Sequence, residues 1–366
     1  MKLSCIQENL HKGLQVVGRI ARPGGSLPIL SNILIKTEKG RLKLSATDLE
    51  IGISGYIGAK VEKEGALTVP ARILIDCISM IQDKKINLEV DKETLSIKSE
   101  KYSTKIKGIA ASEFPLIPQI KEKDTTSLAA SIVRESISQV LIAPAIDESK
   151  PVLSGVCLKL GDKKIKIAAT DSFRLSEKII NLEQETEKKE AVVPARTLSE
   201  VLRILTLTES SSVSIRLSEN QIMFIIDSVE VVSRLIEGSF PEYESIIPKE
   251  TETTSTLDAS EFQNALKLCN LFAKETGGTI KLKIEKDKII VSSSASLVGE
   301  NTSTVLAQNE GPEVEISFNA RFLLDVLGVI SSPTVSLGVT GKFNPALIKI
   351  PRKNDFLYLI MPLKEG

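Results

Sequence analysis

The sequence predicts an α+β protein of three tandem repeats, each with two helices over antiparallel sheets. Three observations lead there. Short segments recur at a period of about 124 residues, the size of a domain rather than of a solenoid repeat. Segments such as LKLSA, IKIAA, LSIKS and VSIRL alternate apolar and polar residues, the period-two pattern of half-buried strands. Helical spacing is confined to two stretches per repeat, so nearly everything else reads as strand.

In the first repeat a helix is expected over Ile6 to Ala21, where Ile6, Leu10, Leu14 and Val17 form one apolar stripe. LPILSNILIK (Leu27 to Lys36), SATD (Ser45 to Asp48) and VPAR (Val69 to Arg72) follow, and VPAR opens the helical stretch ILIDCISMI. The second repeat has its first helix near Val133 to Ala143. It then shows KPVLSGVCLK (Lys150 to Lys159), AATD (Ala168 to Asp171) and a second VPAR (Val193 to Arg196) opening TLSEVLRIL. The third has a helix near Glu261 to Lys274, then TIKLKI (Thr279 to Ile284). FNAR (Phe318 to Arg321) opens FLLDVLGVI, and near Ser292 to Ala295 the Asp is lost. EFP (Glu113 to Pro115) matches SFPEY (Ser239 to Tyr243), which sets domains at 1–122, 123–250 and 251–366. Pro115 to Ser127 and Pro241 to Thr256 read as linkers, because proline removes strand donors.

Lys plus Arg is 47 and Asp plus Glu is 47, so a protein that coats nucleic acid by bulk charge is excluded, while a local basic surface is not. Aromatics are 4% with no Trp, too few for a single-strand stacking platform. One histidine and four scattered cysteines (Cys5, Cys77, Cys157, Cys269) offer no metal set. The cysteines read as reduced thiols of a cytoplasmic protein. No GxGxxG or GxSxG occurs, and the GKF at Gly341 to Phe343 lacks P-loop spacing. The apolar run Val140 to Ile146 is broken by Pro144 and far short of the ~20 residues of a membrane span. MKLSCIQENL turns polar too early for a signal peptide. No cofactor and no self-contained catalytic site are expected. An enzyme would have to join Asp48 and Asp171, which as repeat equivalents belong one domain apart; a protein-only adaptor is the other alternative.

On the first helix Lys12, Gln15, Arg19 and Arg22 form a polar, basic face. Arg134 lies on the third helix, Arg196 and Arg203 on the fourth, Lys267 and Lys274 on the fifth, and Arg321 starts the last. Any one such face is an ordinary solvated surface. Three copies side by side would join into a basic band suited to phosphates contacted without base readout.

LPIL, the ATD turns, VPAR, FP-x-Y, TDSFRLS and the C-terminal YLIMPLK, in this order over the whole chain, resemble the bacterial DNA polymerase III beta subunit family, the sliding clamps. The resemblance implies repeats of a DNA-clamp domain. It also implies a head-to-tail homodimer closing a ring, with helices lining the hole and sheets outside. Double-stranded DNA would pass through without sequence-specific contact. A clamp loader would open the ring, and the DNA polymerase III catalytic subunit and other polymerases and repair proteins would dock by a linear motif. The activity implied is that of a non-catalytic processivity factor.

The same resemblance places a partner-peptide pocket on Leu153, on Thr170, Ser172, Phe173, Arg174 and Leu175, on Pro241 and Ile246, and on Leu359, Ile360, Met361, Pro362, Leu363 and Lys364. An apolar IMPL at a chain end must pack or bind; a final strand packed into its own domain is the alternative. The family commonly has Gly-His where Ser172-Phe173 stands, and a basic residue where Ser245 stands. The Thr-Asp pair is expected to be a structural turn in both copies. Ring closure would set Thr104 and Ile106 of one copy against Leu271 and Phe272 of the other, unless the latter two are helix-end core residues.

Overall fold

The computed structural model describes residues 1–21, 27–118, 120, 125–147 and 149–363. Among the described residues six α-helices stand between strands: α1 Gln7–Gly18, α2 Ala71–Met80, α3 Ala130–Val140, α4 Ala195–Leu207, α5 Ala259–Ala273 and α6 Ala320–Leu327. The order of strand, helix, strands, helix, strands occurs three times.

The recurring tetrapeptide is a strand-to-helix switch. α2, α4 and α6 all begin at its alanine, and the residue before it ends a strand. In two copies that residue is proline, which can close a strand and precede a helix because neither role uses its missing N–H. In the third it is Asn319, whose side chain caps α6 by accepting from the Arg321 N–H at 2.9 Å. Asp258 caps α5 in the same way, accepting from Glu261 N–H at 2.8 Å, so α5 starts two residues before the first expected position. α3 likewise starts at Ala130, and α1 ends at Gly18, short of Ala21.

The far end of each expected linker is strand. Thr126–Ala129 pairs with Ser212–Leu217, and Thr253–Asp258 lies between Gly299–Glu310 and Thr334–Val339. Thr-rich stretches look like linker by polarity, yet β-branched Thr suits a pleated, half-buried surface.

By internal contacts the chain divides into two compact units, Met1–Val133 with Ser199–Leu235, and Arg134–Leu198 with Ile236–Gly366. The first holds a five-stranded sheet and an eight-stranded sheet. In the latter Ile51–Ile57 of the first repeat pairs antiparallel with Val229–Arg234 of the second. α1 packs on α2 and on the sheet, with Leu10, Leu14 and Val17 essentially inaccessible. Gly18 makes the helix contact close: a Cβ there would lie 2.4 Å from the Ile75 side chain.

The second unit holds a twelve-stranded sheet. Here Arg174–Asn181 of the second repeat pairs with Phe356–Ile360 at the end of the third, Arg174 opposite Ile360 and Leu175 opposite Leu359. α5 and α6 bury Phe262, Leu266, Leu323 and Val326 in its main core. A smaller cluster gathers Leu153, Cys157, Leu175, Phe240, Tyr243, Leu357 and Leu359. The four cysteines are free, and burial pushes the Cys5 and Cys157 thiols up to about 12. No helix of the described residues is long and apolar enough to cross a membrane.

Candidate functional site

The two ATD segments build one turn twice. Thr47 Oγ1 donates to Ile51 O and accepts from Leu49 N–H, while Asp48 Oδ1 accepts from the N–H groups of Glu50 and Ile51. Thr170 and Asp171 repeat this with Ser172, Phe173 and Arg174. Leu49 and Ser172 both sit at φ 79°, a left-handed position held by those side-chain bonds. The Thr-Asp pair is therefore structural in both repeats, as expected.

What differs is the residue that follows. Ile51 becomes Arg174, which is buried. Its Nε lies 2.9 Å from Asp171 Oδ2, its Nη1 2.5 Å from Asp325 Oδ2 on α6, and its guanidinium 4.3 Å from the centroid of the Phe322 ring. Burial, the largest single influence, opposes the charge, but Asp325, Tyr358 and Asp171 together outweigh it and the pKa is raised. Tyr358 O–H donates to Phe322 O at 3.0 Å, fixing the same residue from the sheet side.

Asp171, Arg174 and Phe322 help to wall a cavity of about 360 Å³. Of the expected pocket residues, Leu153, Ser172, Phe173 and Arg174 line it. Phe173 is 61% exposed at its mouth. Thr170 is buried and holds the turn. Leu175 and Leu359 pack with Leu153 in the smaller cluster, and Met361 borders it. Ile360 belongs to the main core, so Phe356–Ile360 is an inner strand rather than exposed apolar surface. Met361 N–H donates to Phe173 O and Leu363 N–H to Ser317 O, both at 2.8 Å, leaving Met361, Pro362 and Leu363 half-buried. Lys364 lies outside the described residues.

Pro241 and Ile246 are exposed; their neighbours Phe240, Tyr243 and Ile247 are the ones that pack into the cluster. The FP-x-Y motif thus serves the smaller buried cluster. The two rings meet edge to face at 6.1 Å, and Tyr243 O–H donates to Glu177 Oε2 at 2.6 Å. Sequence reasoning missed Asp171, Arg321, Phe322, residues 144–147, Ser149 and Lys150, which line the rest of the cavity. FNAR marked the start of α6, but nothing in the repeat register said that α6 would face a turn of the preceding repeat.

The basic helix residues divide. Lys12 is exposed and ion-paired at 2.8 Å with Glu8; Gln15 is exposed; Arg19 is exposed beside Glu200 at 3.2 Å. Arg134, Arg196, Lys267 and Lys274 are exposed. Arg22 lies outside the described residues. Arg203 departs from the expectation of an outward basic face. Its Nε meets Glu200 at 2.7 Å, and its Nη atoms donate to the carbonyls of Gln15 and Val16 at 3.1 and 2.7 Å. The C-terminal carbonyls of a helix need partners, and a guanidinium supplies them.

Of the strand edges left open among the described residues, two carry or adjoin the residues expected at the interface. Ser103–Lys107 pairs only with Thr94–Lys98, with Ile106 buried and Thr104 half-buried. Residues 299–306 pair only with Lys288–Ala295. Leu271 is 59% exposed, and Phe272, half-buried, lies against Gly299.

The family models of the DNA polymerase III beta subunit match in succession: the N-terminal domain over residues 1–118, the central domain over 127–242 and the C-terminal domain over 244–364. A beta sliding clamp of Synechococcus elongatus is 30% identical over 100% of this chain and 99% of its own length. One of Staphylococcus aureus is 28% identical over 93% of each. Among solved structures, the DNA polymerase sliding clamp of Bacillus subtilis superposes with a TM-score of 0.96 at 27% identity. A sliding clamp of Pseudomonas aeruginosa bound to griselimycin gives 0.95 at 26%. Both cover 100% of each chain. With relatives matched from end to end, the chain belongs to the family of DNA polymerase III beta subunits, the beta sliding clamps.

Proposed function

We propose that this chain, a DNA sliding clamp of DNA polymerase III, stays on duplex DNA by enclosure rather than by tight or sequence-specific binding. The clamp is a non-catalytic processivity factor. Two copies would pair head to tail into a ring with helices inside and sheets outside. The observation that carries this reading is that two of the open strand edges, 103–107 in one unit and 299–306 in the other, carry or adjoin the apolar residues that the family resemblance sets at the interface. Unpaired edges bearing apolar residues are aggregation hazards unless another strand covers them, and head-to-tail pairing of two copies would cover both. Thr104, Ile106, Leu271 and Phe272 would meet there.

The threefold element order and the succession of family models support domains at 1–122, 123–250 and 251–366. Lys12, Gln15, Arg19, Arg134, Arg196, Lys267 and Lys274 would contact phosphates weakly, which permits sliding; Arg22 would extend this set. The cavity walled by Leu153, Phe173, Arg174 and Phe322, with the tail Met361 to Leu363 beside it, would take the linear motif of the polymerase III catalytic subunit. It would serve the ATP-dependent clamp loader and other polymerases and repair proteins in turn, in the cytoplasm. Micromolar docking, about −8 kcal/mol, is enough for exchange of partners.

The test is retention after loading. Clamp on a closed circular plasmid should persist and be released when the plasmid is cut, while clamp on short linear duplex should be lost quickly. Equal loss from both would exclude enclosure, and a monomeric mass at micromolar protein would exclude the ring.

A further inference from the structure

The two junctions between successive repeats are built in the same register, and one is filled where the other is open. Tyr56 N–H donates to Ser228 O at 3.1 Å across the first, and Ile179 N–H donates to Asp355 O at 2.8 Å across the second. Gly55 lies opposite Val229, and Lys178 opposite Phe356. The register of the ATD turns carries Lys12, Gly13 and Val16 of α1 onto Glu135, Ser136 and Gln139 of α3. In the first junction the small side chains leave a cavity of about 480 Å³, lined by Lys12, Gly13, Val16, Gly55, Ser228 and Val229 among others. The Lys12 ammonium pairs with Glu8 on its own helix, so it does not tie α1 to the sheet.

In the second junction Lys178 takes the place of Gly55. Its side chain is 5% exposed, and its ammonium lies 3.2 Å from Glu135 Oε1 on α3 and 2.8 Å from Asp355 Oδ2. Gln139 Nε2 donates to the same Glu135 oxygen at 3.3 Å, and Ser176 Oγ donates to Gln139 O at 2.7 Å. Gln139 Oε1 and Asp355 Oδ1 are buried with no hydrogen-bond partner among the described residues. A buried polar network rigidifies its surroundings while its members are satisfied and loosens them when one is lost. One strand residue thus ties a helix of the second repeat to the segment that enters the last strand of the third.

We propose that Lys178 is a positioning residue for DNA: it pins α3 to the sheet and so fixes where the adjacent, exposed Arg134 meets a phosphate. This rests on the reading of Arg134 as DNA-facing. α1 is the internal comparison. Its apolar stripe packs on the sheet and Arg203 bonds its last carbonyls, while Gly55 gives it no counterpart of the pin.

The experiment makes two measurements on the full chain. Hydrogen exchange read by mass spectrometry should show the amides of α3 exchanging about tenfold faster in Lys178→Met, with α1 unchanged and with protection restored in Lys178→Arg. Binding to short duplex DNA is read by fluorescence anisotropy across a range of salt. In the otherwise unaltered chain Arg134→Gln should lower the salt slope by about 1; in the Lys178→Met background it should lower it by less than half as much. Should Lys178→Met not fold, Lys178→Met with Glu135→Gln and Asp355→Asn removes the pin without stranding two carboxylates, and the same two results are expected. Unchanged exchange in α3 overturns the proposal. So does an Arg134→Gln effect of equal size with and without Lys178, which would make the lysine a structural tie and no more. If Arg134→Gln changes nothing in the otherwise unaltered chain, the DNA-facing reading of Arg134 is what fails, and the positioning role falls with it.

Discussion

Arg174 and Asp325 lie 151 positions apart in sequence and meet at 2.5 Å in a largely buried ion pair, joining a turn of the second repeat to the last helix of the third. The same guanidinium lies over Phe322, so one side chain both bridges two carboxylates and contacts an aromatic wall. Its counterpart in the first repeat, Ile51, is simply buried.

Arg174→Ala should therefore do more than remove a charge. It leaves Asp171 and Asp325 facing each other without a cation, at a cost of roughly 3 kcal/mol. It also frees the Phe322 ring. Chemical denaturation should show the loss of stability, and peptide affinity should fall with it. Asp325→Asn should cost less, because Asp171 still holds the guanidinium.

Phe173→Ala and Leu153→Ala should separate wall from core. Phe173 is largely exposed, so its loss should change stability by only about 0.5 kcal/mol while weakening the partner peptide. Leu153 is buried in the smaller cluster, so its truncation should cost roughly 2–3 kcal/mol as well as affinity. Tm and anisotropy measured on the same samples distinguish the two.

Charge reversal should separate DNA-facing residues from packed ones. Lys12→Glu with Lys267→Glu should shorten retention on circular DNA equally for every sequence and flatten its salt dependence, with Tm nearly unchanged. Arg203→Glu should instead lower Tm, because it places a carboxylate against Glu200 and the carbonyls of Gln15 and Val16.

Leu271→Asp should shift the mass in solution from dimer to monomer, read by sedimentation, without unfolding the protomer. Leu271 is exposed in the single chain, so a charge there is tolerated until a second copy must cover it.

Stability should fall in alkaline solution. Burial raises the Cys5 and Cys157 thiols to about 12, whereas in the unfolded chain they ionise above ~8.5. Their contribution is whole below ~8.5 and is lost as pH climbs toward about 12, at up to ~1.4 kcal/mol per pH unit for each thiol. Tyr243 and Tyr358, raised mainly by burial, act in the same direction. Calorimetry from pH 8 upward should show a falling Tm, with a shallower fall in Cys157→Ala. Under native alkylation at neutral pH, half-buried Cys77 should be modified before Cys5 and Cys157.

Much of this molecule was legible as pattern. The ATD turn could be read because Thr and Asp satisfy backbone N–H groups within a few residues, and VPAR because proline can stand only at such a switch. Leu10, Leu14 and Val17 declared a buried stripe by spacing alone. The burial of Ile360 and the inward bonding of Arg203 could not be read. One depended on an inner position between Arg174–Asn181 and Ala346–Lys349, the other on helix carbonyls far away in sequence.

Local hydrogen bonding and hydrophobic periodicity are properties of a few adjacent residues, so the sequence by itself determined the repeats, the helices, the strands and the turns. Only the tertiary structure decided that sheets run on from one repeat into the next, and that Arg174, Phe322 and Leu153 enclose a common cavity. The strand pairings and the ion pair that do this join residues more than a hundred positions apart, where no spacing rule reaches.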